Sequence, residues 1–173
     1  MADLQSFVRE SNRIEGIVRE PTQGELDAHQ DFLELPEVRV AEVEHFVREV
    51  AARPLRDRIG MDVRVGSHRP PPGGPQIRAE LSDLLAGIMA DEYEGQAWAA
   101  HVAYEKLHPF IDGNGRSGRV LWAWMRLREH RDPFALGFLH AAYYEALESM
   151  EGELRLSADR LAAILEGGGE DGA

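Results

Sequence analysis

The chain's 173 residues suit one domain with its own core and leave too little for two of ordinary size. Lys and Arg total 19 against 31 Asp and Glu, a net charge of -12 that opposes attraction to nucleic acid or anionic lipid, so neither is an expected partner. Cysteine is absent, which removes disulfides, thiolate metal sites and thiol nucleophiles, and no apolar run reaches the roughly 18 residues of a membrane span, so the expected location is the cytoplasm.

In chain order, Asn12 followed by Glu15 reads on its own as a helix-starting capping box, and Thr22 followed by Glu25 as a second one. The second opens a helix to about Leu35, where Pro36 ends it. Val38, Val43, Phe46, Val47 and Val50 then recur at helical spacing. After Pro54 the texture changes: MDVRV, carrying Val63 and Val65, alternates, Gly66-Ser67 supplies a turn, His68 follows, and PPPGGP makes a rigid exit. This predicts a short β-hairpin. Helices are predicted over 75–90, 94–107, 115–131, 133–151 and 157–166, and the last residues, 167–173, have a linker's composition. The fold class expected is all-α with one hairpin.

Chemistry should lie in the interruption HPFIDGNGRSGR at 108–119. Pro109 forces His108 out of the α region, so the preceding helix ends and the imidazole is presented from a loop. Gly113 and Gly115 permit backbone angles that expose successive N–H groups at the start of the next helix, a nest for phosphate oxygens. Arg116 and Arg119 share a face in that helix's first turns, where the dipole ordinarily disfavours cations; a bound polyphosphate would reverse that penalty. Asp112 beside the nest suits Mg²⁺, which takes one or two carboxylates together with phosphate oxygens and water. His101 reads as a packed histidine, since the break at Pro109 destroys its helical register with His108.

The twelve residues His108 to Arg119 match the Fic signature H-x-F-x-[DE]-G-N-G-R-x-x-R at every defined position, and the chain resembles that family over about 24–150. The resemblance implies a mostly helical domain that transfers AMP from ATP to a Ser, Thr or Tyr hydroxyl of a target protein and releases pyrophosphate. His108 would be the general base, Asp112 the Mg²⁺ ligand, and Gly113, Asn114 and Gly115 the anion hole. Arg116 would bind the β-phosphate region and Arg119 the γ-phosphate. Gly115 stands where the phosphotransferase relatives carry lysine, which favours AMP transfer. The hairpin with Val63, Val65 and His68 resembles the Fic flap, which docks the target's backbone, and relatives are often homodimers.

Ser11-x-x-x-Glu15-Gly16 resembles the Fic inhibitory motif [ST]-x-x-x-E-[GN]. There the glutamate pairs with the second arginine of the signature, here Arg119, and a carboxylate competes with the γ-phosphate for one guanidinium fork. The division implied is an inhibitory helix segment over 1–23, a Fic catalytic domain over 24–166 and a flexible tail over 167–173. Competing readings are a metal-assisted hydrolase, AMP removal included, and a nucleotide-binding switch without turnover.

Overall fold

The computed structural model describes residues 3–66 and 68–134, which form six α-helices: α1 Leu4–Ile14, α2 Gln23–Leu33, α3 Val40–Val50, α4 Pro75–Met89, α5 Ala97–Leu107 and α6 Asn114–Arg128. The domain is mainly helical, as its periodicity predicts. The expected continuation past residue 134, including the last helix and the tail, lies outside the described residues. No described helix is long and apolar enough to cross a membrane.

Helix α6 is the axis. Its residues Val120 to Met125 are buried without interruption, which marks a helix enclosed on all sides rather than one with a single apolar stripe. Helices α1, α2, α3 and α5 all pack on it, and α4 is carried on α3 and α5. Trp124 fixes one junction by donating its indole N–H to the Leu35 carbonyl at 2.8 Å, so the break between α2 and α3 rests on α6.

The predicted box at Thr22 forms: its hydroxyl accepts from the Glu25 N–H, and the Glu25 carboxylate accepts from the Thr22 N–H. Glu25 also takes both prongs of Arg19, at 2.7 and 3.0 Å, and the Asn12 amide at 3.3 Å. One carboxylate therefore starts α2 and ties α1 to it. The box read at Asn12 does not form. Asn12 lies inside α1, and Glu15 is that helix's C-cap. Gly16 ends α1 at φ +75°, with its N–H on the Arg13 carbonyl and the Ile17 N–H on that of Asn12, a Schellman stop that requires a left-handed residue.

The predicted hairpin is reduced to one antiparallel bridge, Val65 with His68, and among the described residues the other bridge is Leu55 with Phe110. Prolines 70 to 72 have no N–H to continue a ladder. The two arms cross closely instead: the Gly73 N–H donates to Asp62 Oδ1 at 2.8 Å, and a Cβ at Gly73 would lie 2.6 Å from the Met61 carbonyl oxygen. Gly73→Ala should thus force the arms apart and destabilise the domain by about 1–3 kcal/mol, the usual cost of overpacking. A thermal midpoint equal to that of the wild type would contradict this crossing.

Candidate active site

Two helix ends meet here, the C-terminus of α5 at His108 and the N-terminus of α6 at Asn114. His108 leaves the α region as Pro109 demands and takes left-handed angles, φ 48° and ψ 61°. Such a backbone costs of order 1–3 kcal/mol in a non-glycine residue, so its surroundings must impose it. Arg56, fully buried, does so: its Nε donates to the His108 carbonyl at 2.7 Å and Nη2 to that of Leu107 at 3.0 Å. Its main-chain N–H adds a bond to the Pro109 carbonyl at 2.8 Å. The orphan carbonyls at the negative end of α5 are met by a cation. Nothing local in the sequence distinguishes Arg56 from the arginines around it.

Gly113 opens α6 at φ +86°, as its position predicts. Asn114 is helical, one residue earlier than expected, and its amide clasps Phe110 in both directions, accepting from its N–H at 2.8 Å and donating to its carbonyl at 2.9 Å. The Asn114 side chain therefore closes the loop instead of facing a ligand. Asp112 is exposed and accepts from the Gly113 N–H at 2.6 Å. Gly115 does not need a positive φ; it needs the absence of a side chain, because a Cβ there would run into the Glu15 carboxylate and Arg119 Nη1.

The two arginines of the loop part company. Arg116 donates from Nη1 to the Val50 carbonyl at the end of α3, at 2.6 Å. Arg119, with no exposed surface, turns to α1: Nε donates to Ser11 Oγ at 2.8 Å, and Nη2 to the Ser11 carbonyl at 2.8 Å and to Glu15 Oε1 at 2.6 Å. A hydroxyl and a carboxylate four apart on one helix thus converge on one guanidinium, and the carboxylate lies over Gly115 at the positive end of α6.

Behind the imidazole stands a carboxylate that sequence reasoning missed. Glu105 Oε2 is 3.9 Å from His108 Nδ1, and its Oε1 is 4.0 Å from His101 Nε2. Its only sequence signal was its place one helical turn before His108. Burial, with Glu15 adding and Arg119 opposing, raises Glu105 to about 7. Burial first, then the charges of Arg56 and His68, lower His108 to about 4, so at neutral pH the imidazole is an unprotonated acceptor. Gly118 admits these groups: a Cβ there would lie 2.7 Å from Glu105 Oε1 and 2.9 Å from His101 Nδ1. His101 is a packed histidine, buried beside Trp98 with ring centroids 5.1 Å apart.

His68 reaches the site from the Pro-rich arm, its Nε2 3.0 Å from the Lys106 carbonyl near the end of α5. Val63 is half-buried and Val65 is 41% exposed. Among the described residues no group of three or more His, Cys, Asp or Glu could hold a metal ion, so Asp112 belongs to no such cluster. That arrangement fits a cation carried largely by phosphate oxygens and water, and not an all-protein cage.

Residues 25–125 match the Fic/DOC family. A segment of 101 residues is 34% identical to a protein of Drosophila willistoni named "Protein adenylyltransferase Fic", covering 54% of this chain and 20% of that one. The chain therefore spans about a fifth of that relative's length. The fold is similar to that of a Fic domain containing signaling protein from Bacteroides thetaiotaomicron, with a TM-score of 0.62 at 16% identity over 91% of this chain and 75% of the other.

The buried ionisable groups set the acid response. Burial lowers His29 to about 4 and His101 to about 3, from an ordinary 6.5. With His108, the unfolded chain binds three protons in this window that the folded chain refuses, and stability falls as pH drops from 6.5 towards 4. Glu105, raised from 4.5 to about 7, opposes this with one proton over part of the same range. The thermal midpoint should therefore decline between pH 6.5 and 4.5; a level or rising midpoint would contradict buried neutral histidines.

Proposed function

Because the chain belongs to the Fic/DOC family, we propose that it transfers AMP from ATP to a Ser, Thr or Tyr hydroxyl of a target protein, restrained by its own N-terminal helix. The observation that carries this reading is an anion in an anion's place. The Glu15 carboxylate lies on Arg119 and over Gly115, at a helix N-terminus where a phosphate would be favoured. Carboxylate and γ-phosphate compete for one guanidinium, and with Glu15 seated the nucleotide cannot adopt its productive pose.

In the transfer, the hydroxyl gives its proton to His108 Nε2, since Nδ1 faces Glu105. The hydroxyl oxygen bonds to the α-phosphorus, the bond from that phosphorus to the α–β bridging oxygen breaks, and pyrophosphate leaves with the electron pair. Main-chain N–H groups of Asn114 and Gly115 receive the α-phosphate charge, that of Gly113 being held by Asp112. Arg116, with one N–H committed to Val50, keeps others for the β-phosphate region. Asp112 would hold Mg²⁺, which supplies charge neutralisation on the phosphates. The target's backbone docks along Val63 and Val65 and near His68, adding the strand that the single bridge lacks.

Wild type, Glu15→Gly and Glu15→Gly/His108→Ala, incubated with Mg²⁺ and ATP labelled at the α or the γ position, test this reading by intact mass and label transfer. Glu15→Gly should carry α-label onto protein faster than wild type, and loss of His108 should lower the rate by about 10²–10⁴. The rate with Glu15→Gly should rise with pH through about 4, where the base becomes unprotonated, and stay level near 6.5. Label from the γ position would replace adenylyl with phosphoryl transfer. Free AMP as the sole product would replace it with hydrolysis, and an unchanged rate in Glu15→Gly would remove the restraint.

A further inference from the structure

We propose that Arg56 is a positioning residue for this transfer: one guanidinium joins the carbonyls of Leu107 and His108 to those of Met61 and Pro71, setting the imidazole and the target-facing arm against each other. The inference rests on the reading of His108 as the base. Arg56 has no exposed surface, and every hydrogen bond of its side chain goes to a main-chain carbonyl. Nε and Nη2 face the end of α5, at 2.7 and 3.0 Å, while Nη1 faces the arm, at 3.2 Å to Met61 and 3.0 Å to Pro71. The main chain of residue 56 repeats the pattern, donating to Pro109 at 2.8 Å and accepting from the Gly74 N–H at 2.9 Å.

A buried cation hydrogen-bonded to neutral carbonyls alone, with the charge of Asp62 on the arm offsetting only part of its desolvation, is costly, and a hydrophobic side chain of similar volume would ordinarily serve packing as well. What the cation supplies is a rigid fork. Guanidinium has five donors fixed in one plane, so bonds on its two sides cannot move independently. On one side lies the left-handed His108, a backbone geometry that must be imposed; on the other lie the two arms that cross at Gly73. An ammonium at the same place would keep the charge but lose the plane. The positive charge also faces the imidazole and, with His68 on the arm, favours its unprotonated form, while Glu105 on α5 and Glu15 at the end of α1 act the other way.

The test uses the full chain carrying Arg56→Lys or Arg56→Gln, each in wild type and in the Glu15→Gly background, with ATP affinity, kcat and KM for ATP in α-label transfer onto the chain itself, and the NMR titration of the His108 ring. Circular dichroism checks that each variant is folded. Arg56→Lys should leave ATP affinity within about twofold and lower kcat about 10²-fold, the usual effect of misplacing a reacting group by about 1 Å. Arg56→Gln should do the same and also move the His108 midpoint up from about 4 towards 6.5. A folded Arg56→Lys with kcat within twofold of its background overturns the proposal. So does unfolding of both variants, which would assign Arg56 to stability alone. Should Glu15→Gly itself transfer no label, the adenylyl reading fails separately. The His108 titration in Arg56→Gln then decides whether Arg56 governs the imidazole, and an unmoved midpoint overturns the proposal.

Discussion

A guanidinium with no contact with water, that of Arg119, organises this molecule. Burying it demands partners of opposite or polar character, and α1 supplies them from Ser11 and Glu15 across 108 and 104 residues of chain. Much else follows from seating that group. Gly115 must lack a side chain so that the carboxylate can approach, and Gly118 must lack one so that α5 can bring Glu105 and His101 close. The charges of Arg119 and Glu15 in turn reach Glu105, pulling its protonation in opposite directions.

The site as a whole inverts an ordinary preference. Helix N-termini favour anionic side chains, yet the first turns of α6 carry Arg116 and Arg119 and no acid. Each cation escapes the penalty by leaving the helix axis. One reaches the carbonyl end of α3, and the other reaches a carboxylate delivered from α1. The positive end of α6 and a cation are thus both directed at one small volume, and the Glu15 carboxylate lies in it.

What was legible in the sequence was local. Thr22 and Glu25 lie three apart and form their box; Pro109 ends α5 where its ring must; Gly113 takes the left-handed turn that a glycine there suggests. The pairing of Glu15 with Arg119 was legible only through the likeness of two short strings to known ones, and the bonds from Arg119 to Ser11 were not foreseen. Arg56 and Glu105 were illegible because their partners lie far along the chain or one turn away on a buried face, where composition carries no mark. The Asn12 box failed because Gly16 stops a helix already running, and the hairpin is cut short at one bridge because three successive prolines cannot donate. Periodicity together with helix start and stop signals located α2 to α6 but could not say that α6 would be enclosed on all sides.

The hub at Glu25 gives the N-terminal helix a particular character. Burial works against its charge, yet the bonds from Arg19 and Thr22 hold its carboxyl down to about 2, so the hub stays ionised at any physiological pH. Helix α1 is therefore anchored to α2 through Asn12 and on α6 through Ser11 and Glu15, with Arg19 closing the corner. A carboxylate held in this way has an effective concentration set by covalent linkage and not by supply. Any phosphate that is to reach Arg119 competes with a ligand that never diffuses away, and raising the nucleotide level shifts the free energy of that contest only with the logarithm of its concentration. An agent that loosens the grip of Glu25 on α1 would act on the tether itself, and so at a distance from the guanidinium it exposes.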